Sequence, residues 1–233
     1  MATCSMRVAD DLCIKYASSS EVASNLEGNA HREFITGPSD LKAGVYEGGF
    51  KVWESTEDLC RYLLQEKGTA KTANVLDLGC GAGLCGISAL LLGAKQATFH
   101  DFNDCVLDSF TRKNVALNGV DVDRCRFVAG DWAGAEQQLP SRSFDLILTS
   151  ETIYNADNYE RLHRLLDWCL SDPDEDDAQI LVAAKSVYFG VGGGCARWTA
   201  FVEEQAKFNV DIVAIIDESV PRKILRLKRV KAQ

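Results

Sequence analysis

The chain has 233 residues, enough for one sizeable hydrophobic core, and 46% of them are hydrophobic, as expected of a folded domain rather than a disordered or fibrous chain. Acidic residues outnumber basic ones 34 to 25, so the surface as a whole repels nucleic acid and accommodates a cationic ligand more easily. The longest apolar run, residues 87–92, is far too short to span a bilayer, and neither end carries a secretory or lipidation pattern; this predicts an intracellular protein without a membrane partner.

In chain order, residues 1–35 show weak periodicity and a serine triplet, and are expected to be poorly ordered; the domain proper is expected over 36–233. Residues 40–54 are glycine-punctuated and aromatic, either an ordinary connection or a lid. Ser55 or Thr56 then caps a predicted helix with Glu57 and Asp58 in its first turn and Leu59, Tyr62 and Leu63 on one face. From Asn74 strands and helices alternate: strand 75–78, helix 84–92, strand 96–100, helix 104–118 ended by Asn118-Gly119, strand 125–129, and strand 144–149. A helix over 159–170, the acidic run 172–177 (a solvated loop), strand 179–184 and a helix over 197–206 follow. Strands 208–216 and 224–229 close the chain as an antiparallel pair. The pattern predicts a single α/β domain, a Rossmann-like seven-stranded mostly parallel sheet with one antiparallel strand and helices on both faces.

Nine cysteines, an odd number with no Cys-x-x-Cys, read as reduced small hydrophobic residues, and three unpaired histidines argue against a metal. Chemistry concentrates instead at Asp77-Leu78-Gly79-Cys80-Gly81-Ala82-Gly83-Leu84-Cys85-Gly86, where a buried strand turns into a helix on backbone bare enough for a ligand to lie against. Gly81 to Gly86 formally matches the dinucleotide fingerprint, with Asp101 as the ribose-binding acid. Asp77 breaks the tie: a carboxylate there faces a pyrophosphate with the wrong sign, whereas S-adenosylmethionine offers an ammonium and a sulfonium. Three consecutive strands ending in Asp77, Asp101 and Asp131 favour a site over three unrelated turn-ordering acids. Trp132 offers a face to an adenine.

These motifs resemble the seven-strand S-adenosylmethionine-dependent methyltransferases. The segments 44–54, 148–155 and 185–194 resemble, more narrowly, the eukaryotic protein-histidine N-methyltransferases over about residues 36–230. The resemblance implies cofactor contacts from Val52, Trp53, Glu54, Ser55 and Thr56, from Gly79 or Gly81, from His100, Asp101 and Phe102, from Gly130, Asp131 and Trp132, and from Ser150. It also implies a protein substrate, a histidine (tele nitrogen) of a large-ribosomal-subunit protein, a monomer, and a place in cytoplasm and nucleus. The acidic run departs from the pattern as an apparent insertion.

Methyl transfer from a sulfonium requires alignment and exclusion of water more than acid–base work. An imidazole, with an ordinary pKa near 6.5, is mostly neutral already, whereas a lysine near 10.4 must first lose a proton. Glu151, Tyr154 and Asn155 are the catalytic candidates: Glu151 to accept an imidazole N–H, Tyr154 and Asn155 to line the ring's slot. Against this stand a capping role for Glu151 and the acidic-x-x-aromatic spacing of related lysine enzymes. Trp53 either covers the cofactor or packs. Lys185 either serves the site or pairs with a rim acid, and Tyr188-Phe189 either faces the site or is core. Gly192-Gly193-Gly194 is either a substrate-side loop or a turn, and the basic stretch 222–229 is a half-exposed strand before it is an RNA contact. A lysine methyltransferase, a dinucleotide oxidoreductase and a non-catalytic ribosome-assembly factor are the competing functions.

Overall fold

The computed structural model describes residues 3–8, 12–26, 32–37, 41–42, 44–66, 68–172 and 178–231. Within the segment expected to be poorly ordered, β1 (Thr3–Arg7) and β2 (Cys13–Ala17) form an antiparallel hairpin, followed by α1 (Ser19–Asn25) and the single turn α2 (Glu33–Thr36). The physical reason lies in a short period-two pattern: Met6 and Ile14 face inward while Ser5, Arg7 and Lys15 face water. Val22 and Leu26 join Ile14 in the main core, so this segment is tied down by burial.

After α3 (Glu54–Gln65) the chain builds the main sheet. β3 (Asn74–Leu78) leads through the glycine turn to α4 (Leu84–Leu91), then to β4 (Gln96–Asp101). A helical stretch follows in three parts: α5 (Asp104–Val106), a π-helical turn (Leu107–Thr111) and α6 (Arg112–Leu117). Next come β5 (Cys125–Ala129), β6 (Leu146–Ser150), α7 (Tyr159–Cys169), β7 (Gln179–Lys185), α8 (Cys195–Gln205), β8 (Phe208–Ile216) and β9 (Arg222–Arg229). Strand order is β5-β4-β3-β6-β7-β9-β8, and β9 alone runs against its neighbours. The expected fold class is the observed one. Order reverses between β3 and β6, so the turn after β3 sits at the switch point where ligands of such sheets bind.

β3, β6 and β7 are buried on both faces, which is why they read as continuous apolar runs. Val75 points to the face covered by α3, α4, α6 and the hairpin, while Leu76 and Leu78 point to the face covered by α7 and α8. α4 is apolar nearly all round because it lies between sheet, α3 and hairpin; only Leu91 of its residues is exposed.

Three local expectations differ from the structure. The helix predicted over 104–118 contains the π turn, which brings the Thr111 hydroxyl to donate to the Gly81 carbonyl at 2.7 Å. α3 starts at Glu54 with Trp53 at its N-cap, two or three residues earlier than a Ser55 or Thr56 cap implies, because both hydroxyls are engaged elsewhere. The basic strand β9 is an ion-pairing strand: Arg222 bonds Asp58 at 2.5 Å, Arg226 bonds Asp211 at 3.0 Å, and Arg229 bonds Asp167 at 2.5 Å. Of the acidic run, 173–177 lie outside the described residues, and Asp172 stands 3.6 Å from Arg142.

Candidate active site

The turn after β3 is shaped from three sides. Gly81 has φ +49°, a left-handed conformation, and a Cβ there would stand 3.0 Å from the Gly49 carbonyl oxygen. Gly79, at φ +68°, would drive a Cβ to 2.8 Å from Thr152 Cγ2, with the Trp132 ring 3.9 Å away. Bare backbone is therefore required where the turn meets the loops above it. From below, the Gly81 amide donates to Asp101 Oδ2 at 2.9 Å, and Gly86 donates to Asp77 Oδ2 at 2.8 Å. Asn114 Nδ2 donates to the Ala82 carbonyl at 2.8 Å while its Oδ1 accepts the Ala17 amide at 2.9 Å. The hairpin is thus joined to the turn through one asparagine.

Asp77 and Asp101 are both buried, and burial pushes their carboxyls up, to about 8 and about 6, against the backbone N–H groups that favour the anion. In this structure both acids order the turn. They do so from the wall of the cavity, where a cationic group would restore their charge.

That cavity measures about 290 Å³, near the lower end of small-molecule sites. Of the residues expected at the site, Val52, Trp53, Thr56, Asp77, Gly79, Gly81, Asp101, Phe102, Asp131, Trp132, Ser150, Glu151, Tyr154 and Asn155 line it. Four do not. Glu54 turns away to pair with Lys185 at 3.2 Å, and Ser55 lies behind the wall, donating to Glu151 at 2.5 Å. His100 is fully buried, its ring pushed down to about 4 and hence neutral, and it meets the turn only through its carbonyl, which accepts the Cys80 amide at 2.8 Å. Gly130 links strands, its amide donating to the Asp101 carbonyl at 3.0 Å.

Trp53 does more than pack: its ring carries the Lys51 ammonium 4.4 Å and the Lys185 ammonium 5.7 Å from its centroid, and Nε1 donates to the Gly48 carbonyl at 3.2 Å. Residues 47–49 and 51–53 face the cavity, as a lid does, over a base of stacked Phe34, Tyr46 and Phe50. Asp131 accepts the Ala133 amide at 2.9 Å and stands 3.4 Å from Arg161.

The opposite wall is built around Glu151. Its backbone is left-handed, φ +60°, which costs a non-glycine residue about 1 kcal/mol. Surrounding bonds hold it there: its amide donates to the Ala183 carbonyl at 2.9 Å, Ser55 donates to Oε1, and the Tyr188 hydroxyl donates to Oε2. Glu151 is thus not a helix cap. Tyr188 is held in turn by the Lys185 amide at 3.2 Å and meets the Tyr154 ring edge-on at 6.3 Å. Thr56 and Ser150 share a hydrogen bond at 3.1 Å. The glycine triplet is pinned rather than loose: Gly193 and Gly194 amides donate to the Tyr154 and Ile153 carbonyls at 3.0 Å each, and a Cβ on Gly193 would collide with Tyr154 at 2.2 Å.

Several wall residues escaped the sequence reading, Thr152, Asp157, Asn158 and Arg161 among them, and Glu47 is the one that ties two loops together. Glu47 accepts the Tyr154 hydroxyl and, at 2.7 Å, the Gly44 amide, and so fastens the lid to the Glu151 loop. Its only signal was being the sole acid between Gly44 and Gly49.

The residues fit S-adenosylmethionine. Bare backbone at Gly79 and Gly81, buried acids at Asp77 and Asp101, and the Trp132 ring beside Gly79 offer a cradle, countercharges and an aromatic face.

Comparison with known proteins agrees. The family model described as "Lysine methyltransferase" matches residues 40–188. The chain is 38% identical over 188 residues to "Histidine protein methyltransferase 1 homolog" of Dictyostelium discoideum, covering 81% of this chain and 59% of that protein. It is 42% identical over 221 residues to the protein of the same description from Bos taurus, covering 81% and 57%. It therefore spans less than three fifths of these curated relatives' length. Among solved structures, a ribosomal protein L11 methylase from Lactobacillus delbrueckii subsp. bulgaricus shares the fold, with a TM-score of 0.59 at 17% identity, covering 97% of this chain and 98% of that one. With the family model matched over more than half of its length, the chain belongs to this family of S-adenosylmethionine-dependent protein methyltransferases, with the likeness to the histidine enzymes that its motifs led us to expect.

Proposed function

We propose that the protein is a protein-histidine N-methyltransferase that modifies the tele nitrogen of a histidine in a large-ribosomal-subunit protein, acting as a monomer in cytoplasm and nucleus without binding nucleic acid directly. The observation that carries this reading is the Glu151 carboxylate, oriented by Ser55 and Tyr188 on the cavity wall. The names of the curated relatives support histidine as the acceptor side chain.

The bound cofactor supplies an electrophilic methyl group and leaves as a neutral thioether. The chain then has to present one imidazole nitrogen with a free lone pair. Each Glu151 oxygen keeps a second lone pair after accepting its hydroxyl. Glu151 accepts the N–H of one ring nitrogen and turns the other nitrogen inward; transfer leaves the ring an imidazolium, whose N–H proton passes to the Glu151 carboxylate and then to water. Ser55 and Tyr188 prevent the carboxylate from rotating. Tyr154 and Asn155 bound the ring's slot, and the lid residues Gly48 to Trp53 exclude water. No strong base is needed, since the imidazole is already neutral.

A lysine acceptor is the second reading, favoured by the description of the family model and by the Glu151-x-x-Tyr154 spacing. Incubation with labelled methyl donor and ribosomal proteins from cells lacking the enzyme, followed by amino-acid analysis, separates the two. We expect tele-methylhistidine. Methyl-lysine alone refutes the histidine reading, and intact cofactor binding without any transfer favours a scaffold in ribosome assembly.

A further inference from the structure

Beyond the cavity, the loop between β7 and α8 presents an unusual surface. Its residues alternate in direction. Tyr188 points inward onto Glu151, whereas Val187 and Val191 are 53% and 42% exposed and Phe189 is 90% exposed. An isolated exposed apolar side chain needs no explanation, but three within five residues on a pinned loop form a patch.

The loop is held from within. Ser186 donates to the Pro221 carbonyl at 2.8 Å, Tyr188 to the Gly193 carbonyl at 3.2 Å, and Arg197 to the Gly192 carbonyl at 2.9 Å. Gly192 forms an antiparallel bridge with Asn155, a cavity-lining residue, and Gly193 bonds the Tyr154 backbone next to it. The patch is therefore continuous with the acceptor wall of the cavity, and its outward face is fixed by the contacts that orient Glu151.

We infer that Val187, Phe189 and Val191 form the docking surface for the acceptor polypeptide, receiving an apolar residue a few positions from the side chain that enters the cavity. This rests on the reading of the cavity as a protein-methyltransferase site. A pinned loop presents Phe189 with little ordering cost on binding, and aromatic anchors of this kind dominate polypeptide recognition. The occupant is an extended or exposed segment of the acceptor protein, because the same loop touches Tyr154 and Asn155 on its other side.

The test compares initial rates against increasing total ribosomal protein for the unaltered chain, Phe189→Ser and Val122→Ser. Val122 is also well exposed (57%) but precedes β5, at the opposite rim of the sheet. Phe189→Ser should raise the acceptor KM about tenfold or more, leave kcat within about twofold, and leave S-adenosylhomocysteine affinity by calorimetry unchanged. Val122→Ser should match the unaltered chain. An unchanged KM in Phe189→Ser, an equal loss in Val122→Ser, or a loss of cofactor affinity in Phe189→Ser overturns the inference. Methyl-lysine as the sole product overturns the histidine reading alone, and the KM comparison then stands on lysine. No transfer by the unaltered chain overturns both.

Discussion

The two walls of the cavity are made differently. The wall we propose for the cofactor is built on one contiguous stretch, Asp77 to Gly86, with Asp101 beneath it, and two of its amides donate to buried carboxylates. The wall we propose for the acceptor is a set of side-chain pairs between remote loops: Ser55 with Glu151, 96 positions apart, Tyr154 with Glu47, 107 apart, and Tyr188 with Glu151, 37 apart. A backbone cradle tolerates change around it as long as the glycines remain. A wall of paired side chains can be altered one bond at a time, which is how one fold serves different acceptors.

The largest effect is expected on the cofactor wall. Gly81→Val places a branched side chain at φ +49°, against the Gly49 carbonyl. Cofactor affinity measured by calorimetry should fall about 100-fold or more, because a branched residue is strained there and fills the cradle. A variant that still binds normally breaks the idea that the cradle is backbone.

Glu151→Gln sharpens the comparison from the other side. It keeps the shape but turns an amide NH₂ toward a hydroxyl donor, so methyl transfer should fall about 100-fold while S-adenosylhomocysteine binding stays within a few-fold. Equal losses in both quantities would erase the distinction between the walls.

Asp77→Asn tests the buried acid through pH. Burial raises the Asp77 carboxyl in the folded state from 3.8 to about 8, so folding favours its protonated form. The stability this contributes is complete below about pH 4 and is lost as pH rises through 8. The Asn variant, which still accepts the Gly86 amide and carries no charge, should melt close to the unaltered ligand-free chain at pH 4 and about 10 °C or more above it past pH 8. Saturating cofactor, whose ammonium favours the anion, should shrink that difference.

The smallest effect belongs to Tyr154→Phe. It removes one hydroxyl bond to Glu47, costing about 1 kcal/mol in chemical denaturation, and should slow transfer a few-fold by loosening the lid from the Glu151 loop. Cofactor affinity should be untouched.

The sheet was legible in the sequence because buried parallel strands and glycine turns leave a local signature: an apolar run, a terminal acid, a left-handed position. The same locality placed Asp77, Asp101 and Trp132 on the cavity, since each lies at or just beyond the carboxyl end of a strand at the same rim. His100 misled for the reason that strand neighbours alternate. Adjacent to Asp101, it points to the other face of β4 and is sealed in the core. The paired strands Thr3–Arg7 and Cys13–Ala17 were missed because five-residue strands are too short to stand out, and their persistence rests on burial in the main core and on bonds to Asn114 and Asn118.

By itself, then, the sequence determined the fold, the switch-point turn and the cationic character of the ligand, all of which follow from residues near one another along the chain. Tertiary structure decided what each acid bonds and which loops meet across the cavity. Whether Glu151 caps a helix or stands oriented on the wall depends on Ser55 and Tyr188, and the join between residues 47–53 and the Glu151 loop depends on Glu47 meeting Tyr154. Hydrogen bonds between side chains on separate loops impose no period and no spacing on the sequence. Only folding brings them into view.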